Sequence, residues 1–241
     1  MNTNGQVVIT GAAGGMGQAV CQYLHHQGYR VLAIDHNQPR IQKLAEQIPT
    51  LKTLVIDLED PSLSEQVEQA LNAESPVVGL VNMAGVSVGN TIDKLSDQDW
   101  DNSFAINVTP AMRLIRLLAP KMQAQKQGSI INVGSPVGIV GARKPSYAAS
   151  KAALHGLTMS CARNLGVDNI RVNLLLPGPT ITYMTNDWEP SRQQAIADGT
   201  FLKRLCTAEE IANVIAFLIS NNSSYITGAT IDMTAGSLYG H

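Results

Sequence analysis

Short apolar runs alternate with stretches of helical periodicity along almost the whole chain. Val7-Val8-Ile9 is apolar and β-branched, and it breaks at Thr10-Gly11-Ala12-Ala13-Gly14-Gly15-Met16-Gly17. From Met16 apolar positions recur at helical spacing through Val20 and Leu24 to Gly28, a glycine placed to end a helix. A strand over 30–34 closed by Asp35 follows, then a helix over 38–48 and a strand over 52–56 closed by Asp57. A helix is predicted over 61–73, with Pro61 at an early position. The strand at 77–81 leads into the turn Asn82-Met83-Ala84-Gly85. A long helical region over 97–125 contains Pro110 and Pro120, which should interrupt or bend it. The strand 129–133, helix 146–165, strand 170–175, helix 208–220 and strand 230–233 complete the pattern.

Strands alternating with helices of this length imply right-handed crossovers and one parallel sheet covered on both faces. The expected fold class is therefore α/β, a three-layer doubly wound parallel sheet of about seven strands. Strands such as 77–81 are nearly all apolar, as burial on both faces requires. Nothing reads as a linker, repeat or low-complexity segment, so 1–241 is expected to be one domain. The pattern breaks from Pro177 to about Thr207, where Pro177-Gly178-Pro179 stops a strand and a polar stretch follows. An insertion there is placed to cover a ligand crevice, which marks about 178–207 as a substrate lid. The plainer alternative is an ordinary surface excursion.

Composition changes this picture mainly by exclusion. Hydrophobic residues make up 44% of the chain and charged residues 15%, enough apolar material for a packed core. A net charge of -2 gives no electrostatic reason to expect nucleic acid or an anionic membrane as partner. No apolar run approaches the roughly 18–20 residues of a membrane span, and the N-terminus lacks a signal-peptide pattern. Cys21, Cys161 and Cys206 are scattered without metal-ligand spacing, which suits free thiols in a reducing cytoplasm. The histidines do not cluster either.

Two patterns carry chemistry. A strand, a glycine turn and a helix can hold a pyrophosphate on backbone N–H groups, although many glycine turns are simply tight. Asp35 stands eighteen residues after Gly17, where an acidic residue grips an NAD ribose hydroxyl. Further on, Tyr147 and Lys151 lie four residues apart in a predicted helix, hence on one face. A positive charge about 5 Å from the phenol, at an effective dielectric of roughly 20, favours phenolate by about 3 kcal/mol. That is roughly two pK units, which predicts a phenol drawn towards neutrality and able to exchange a proton. Alone, such a pair is far more often a core tyrosine beside a solvated lysine.

Taken together, these residues resemble the short-chain dehydrogenase/reductase family over nearly the whole chain. Thr10, Gly11, Gly15 and Gly17 match its T-G-x-x-x-G-x-G, and Asn82-Met83-Ala84-Gly85 its N-N-A-G with methionine as the second residue. Asn107 matches the helix asparagine; Ser135, Tyr147 and Lys151 match the serine and Y-x-x-x-K. Ile170-Arg171-Val172-Asn173, Pro177-Gly178 and Thr182 match the strand and turn that close over the nicotinamide, and the match continues through Arg204, Glu209-Glu210-Ile211-Ala212 and Ile226-Thr227-Gly228.

The resemblance implies a Rossmann-type oxidoreductase similar to 3-oxoacyl reductases, with hydride moving directly to or from the nicotinamide and no metal. It implies Tyr147 as general acid/base, Lys151 depressing its pKa, Ser135 binding the substrate oxygen, and Asn107 anchoring a water relay. Cofactor contacts are implied for Gly11, Gly15, Met16, Gly17, Asp35, Asp57, Leu58, Asn82, Ala84, Gly85, Tyr147, Lys151, Pro177, Gly178, Thr180 and Thr182. Asp35 repels a 2′-phosphate, while Gly14 and His36 stand where relatives preferring NADP place Arg or Lys, so NAD is the expected cofactor. The substrate, a secondary alcohol or ketone, is expected against Ser135, Val137, Arg143, Tyr147, Met184 and Trp188, with Arg143 and Lys144 as anchors for an acidic substrate. An NADPH-dependent 3-oxoacyl reductase, an NAD-using epimerase and a non-catalytic NAD-binding protein are the alternatives. A homotetramer or homodimer is also implied. Two departures stand out: Pro136 directly after the serine, and Asp232-Met233-Thr234-Ala235-Gly236 in place of a V-D-G-G-like ending, expected to alter a subunit contact or a pocket wall.

Overall fold

The computed structural model describes residues 5–182, 185 and 188–238. Its strands are β1 (Gln6–Thr10), β2 (Arg30–Asp35), β3 (Lys52–Val55), β4 (Val77–Asn82), β5 (Gly128–Val133), β6 (Ile170–Pro177) and β7 (Thr230–Met233). They form one parallel sheet in the order β3-β2-β1-β4-β5-β6-β7. The order reverses between β1 and β4, and a crevice opens at such a reversal, beyond the carboxyl ends of the strands.

Two apolar layers enclose the sheet, and the period-two alternation of each strand feeds both. Val7, Ile9, Val31, Ala33, Val81 and Ile131 face one layer, with Val20 and Leu24 of α1 (Gly15–His26) and Ile41 and Leu44 of α2 (Gln38–Gln47). Val8, Leu32, Ile34, Leu80 and Ile130 face the other, with Leu63 and Val67 of α3 (Leu63–Ala70).

The long helical region divides into α4 (Asp97–Asn107) and α5 (Thr109–Ala124) at Val108, whose ψ of -52° accompanies a φ of -122°. Pro110 sits in the first turn of α5, where its missing N–H costs no helical bond, and Pro120 lies inside α5 without ending it. A single turn, α6 (Val137–Val140), precedes α7 (Pro145–Leu165). The lid stretch contains a helix the sequence pattern did not show, α8 (Pro190–Asp198), opened by its proline. Last comes α9 (Ala208–Ile219), started by a full capping box between Thr207 and Glu210 and packed against α1 in the first layer. Among the described residues no helix is long and apolar enough to cross a membrane.

Candidate active site

The glycine turn after β1 is shaped by close approach. Gly11 has φ +68°, and a Cβ there would lie 2.9 Å from the Ala84 backbone. A Cβ on Gly17 would lie 2.1 Å from the Gly11 carbonyl oxygen, and one on Gly15 would lie 2.7 Å from Thr182. Gly14 offers α1 no side-chain cap, so the first-turn N–H groups face a cleft that any side chain would fill. At the far end, Asp35 accepts hydrogen bonds from the N–H groups of Ala13 and Asn37, each at 2.9 Å. These bonds hold the carboxylate in one orientation, each oxygen retaining a lone pair.

The resulting cleft, about 410 Å³, is lined by ten of the expected cofactor residues: Gly11, Gly15, Met16, Gly17, Asp35, Asp57, Leu58, Ala84, Gly85 and Thr182. A dinucleotide fits this chemistry: a helix N-terminus and backbone amides for phosphates, a carboxylate for ribose hydroxyls. The other expected residues lie off this lining. Asn82 is buried in the sheet, where its amide donates to Asn132 Oδ1 at 2.8 Å. Gly178 packs on Thr234, and Thr180 bridges to Cys206 at the base of the lid stretch.

Tyr147 and Lys151 project from the first turns of α7. Lys151 is buried and donates from Nζ to the Val133 carbonyl at 2.9 Å. A Cβ on Gly85 would lie 3.1 Å from Lys151 Nζ and 3.1 Å from Asn107 Oδ1, so the ammonium stands directly against the cleft wall. Asn107 accepts from the Val86 N–H at 2.7 Å and donates to the Val86 carbonyl at 3.0 Å and to Ser150 Oγ at 2.9 Å. It thereby fastens the loop after β4 to α7. Ser135 and Tyr147 share a hydrogen bond between their hydroxyls.

The electrostatics differ from the sequence expectation of a phenol drawn towards neutrality. Burial pushes Tyr147 above the usual tyrosine value, the Ser135 hydrogen bond opposing it. Burial also lowers Lys151 to about 8. A fully charged, well-solvated lysine would favour phenolate; in the fold both groups lose water, and desolvation wins.

A family model described as Enoyl-(Acyl carrier protein) reductase matches residues 11–237. The chain belongs to the short-chain dehydrogenase/reductase family. It is 32% identical over 240 residues to the 3-oxoacyl-[acyl-carrier-protein] reductase FabG of Escherichia coli (strain K12), covering 98% of each chain. It is also 32% identical over 240 residues to the L-xylulose reductase of Caenorhabditis elegans, covering 97% of this chain and 96% of that protein. A solved structure titled gox2181 superposes with a TM-score of 0.90 at 28% identity, covering 97% of this chain and 95% of that one. As a short-chain dehydrogenase/reductase, the protein is an oxidoreductase that takes a nicotinamide cofactor.

The substrate side of this family member is partly described. The Val137 N–H donates to Ser135 Oγ at 3.4 Å, and Pro136 opens α6 with φ -56°, so the unusual proline starts a helical turn. Arg143 is exposed, whereas Lys144 Nζ donates to the Ser87 carbonyl at 2.7 Å and so serves as a latch on the loop after β4. Trp188 is half-buried with the Arg192 guanidinium 4.5 Å above its ring. Met184 lies outside the described residues. His36, weighed in the sequence for cofactor choice, lines the cleft beside Asp35, as do Asn37 and Arg40, which sequence reasoning missed. A signal existed for Arg40: Asn37 is the N-cap of α2 and accepts from the Arg40 N–H at 3.1 Å, which puts Arg40 in the first turn after Asp35.

Proposed function

We propose that the protein interconverts a secondary alcohol and its ketone using NAD(H), with Tyr147 moving the proton. The observation that carries this reading is that one helix, α7, brings Lys151 to the cleft wall and Tyr147 to Ser135. Lys151 stands against Gly85 of the cleft wall, and Tyr147, one turn earlier on α7, is hydrogen-bonded to Ser135.

The bound nicotinamide supplies or accepts the hydride. Gly11, Gly15, Gly17, Asp35, Ala84, Gly85 and Thr182 hold the dinucleotide. During ketone reduction Tyr147 gives its phenolic proton to the carbonyl oxygen as negative charge develops there, and the Ser135 hydroxyl donates to the same oxygen. A buried phenol with a raised pKa keeps that proton at neutral pH. Lys151 supplies positive potential beneath the ribose end of the site. The stretch 178–207, which contains α8, serves as the lid, and the single chain 1–241 as one domain.

NAD(H) is preferred because Asp35 is fixed by two backbone bonds at the place of the adenine ribose, where its charge opposes a 2′-phosphate. A second reading, an NADPH-dependent 3-oxoacyl-type reductase, draws on His36 and Arg40 in the same cleft and on the relatives' names. Initial rates with NADH and NADPH over a panel of ketones and 3-oxoacyl thioesters separate the two. A preference for NADPH replaces the first reading with the second. Tyr147→Phe should lower turnover by about 10²–10⁴-fold; full turnover sinks both. Net NADH formation from an alcohol distinguishes either reading from an epimerase or a non-catalytic binder.

Free thiols at Cys21, Cys161 and Cys206 support a reducing, cytoplasmic setting. Exposed Trp100, Met112 and Met159 on α4, α5 and α7 support assembly into a homodimer or homotetramer.

A further inference from the structure

Directly beneath the candidate active site, the apolar layer between the sheet and α7 turns polar. Thr10, Asn82 and Asn132 lie side by side in register on β1, β4 and β5. Each follows an apolar core residue two positions earlier, namely Val8, Leu80 and Ile130, so all three face the α7 side of the sheet. Asn82 donates to Asn132 Oδ1 at 2.8 Å, Asn132 donates to Thr158 Oγ1 at 2.9 Å, and Thr158 donates to the Leu154 carbonyl of α7 at 2.7 Å. Asn132 and Thr158 are both almost wholly buried. The Asn82 Oδ1 atom, also buried, has no hydrogen-bond partner among the described residues.

Leaving that acceptor unpaired costs stability, and an apolar row would avoid the cost. The arrangement is therefore better explained by where it sits. Asn132 immediately precedes Val133, whose carbonyl receives Lys151 Nζ. Thr158 follows Lys151 by seven residues, two turns along the same buried face of α7 through Leu154. Apolar side chains between a helix and a sheet can slide past one another at small cost, whereas a directional bond between amide and hydroxyl has one geometry.

We propose that the Asn132–Thr158 hydrogen bond is a positioning device that fixes the axial register of α7 on β5. It thereby sets Tyr147 and Lys151 against Ser135, Val133 and Gly85. Asn132 and Thr158 touch none of the reacting groups; they act through Val133 and through α7. The inference rests on the reading that Tyr147 and Lys151 carry the chemistry, but its test needs no turnover.

The test follows the titration of Lys151 by NMR of protein labelled with ¹³C at lysine Cε, with Lys151→Met identifying the resonance. Thr158→Val keeps the branched shape and removes the hydroxyl; it should move the Lys151 midpoint by about half a pH unit or more. Thr158→Ser restores the hydroxyl and should return the midpoint to its starting value. The double variant Asn132→Leu/Thr158→Val removes both partners of the bond, and also the acceptor of the Asn82 amide. It should keep the shifted midpoint. A folded Thr158→Val or double variant with an unchanged Lys151 titration overturns the proposal, because a purely structural bond would alter the melting temperature alone. Full turnover in Tyr147→Phe would sink the functional reading and leave this comparison intact.

Discussion

The balance at Tyr147 shows how desolvation and charge compete within a single side chain. A phenol four residues from an ammonium is legible in the sequence, and so is the attraction between phenolate and cation. The depth of burial is not, because it depends on α4, α6 and the loop after β4 packing around α7. Burial leaves Tyr147 protonated beyond its usual range and holds Lys151 near 8, so the hydrogen bond from Ser135 is the main influence favouring phenolate. Ser135→Ala removes it. A bond of about 1 kcal/mol corresponds to a shift of roughly 0.7 unit, so the alkaline rise in kcat/KM for alcohol oxidation should move up in pH by about that much. A pH profile superimposable on the wild type would mean that Ser135 does not tune the phenol. Gly15, Gly17 and Asp35 behaved differently: their roles in shaping the cleft follow from backbone geometry near in sequence, and spacing alone pointed to them.

At the scale of elements, the five inner strands were readable from their apolar runs, since a strand buried on both faces has few other ways to be written. The half-buried edge strands β3 and β7 were read from the alternation of elements around them. Their ends moved slightly: β6 reaches Pro177 because β7 pairs with it there. The short α6 and the lid helix α8 were not readable, one being a single turn and the other carrying a single buried residue, Ala197. The altered tail motif is also an element-scale matter. Ala235 has φ +52°, in the left-handed region, and its carbonyl accepts from the Phe201 N–H at 2.8 Å at the end of the lid stretch. A side chain in that conformation costs about 1–2 kcal/mol, partly offset in the comparison by the greater chain entropy of glycine. Ala235→Gly should therefore stabilise the protein by about 0.5–1 kcal/mol, a rise of about 2 °C in Tm. Thermal unfolding checks it, and a fall in Tm would show that Ala235 makes compensating contacts.

For the whole molecule, the buried ammonium couples the site to stability. A lysine lowered from 10.5 to about 8 makes the unfolded state the better proton binder between those values, so stability rises with pH across that window. Below about pH 8 the full cost, about 3 kcal/mol, is present. Lys151→Met removes it at the loss of one hydrogen bond to Val133. The variant should thus be the more stable at pH 7 by about 2 kcal/mol, with the gap closing by pH 10.5. Comparing the two proteins at each pH cancels the opposite trend from the buried and half-buried thiols, whose raised pKa values favour unfolding above about pH 9. Denaturant midpoints measured across that range check it; a constant gap would show that Lys151 is not desolvated. The sequence by itself determined the α/β alternation, the glycine turn, the placing of Asp35 after it and the spacing of Tyr147 and Lys151, because each depends on periodicity or on fixed local spacing; Ser135 entered through the family resemblance. Only the tertiary structure decided which way the phenol shifts, that Lys144 latches a loop, that Arg40 enters the cleft, and that Asn132 meets Thr158. Those outcomes depend on burial and on contacts between residues far apart in the chain, and both are set when the layers close on the sheet.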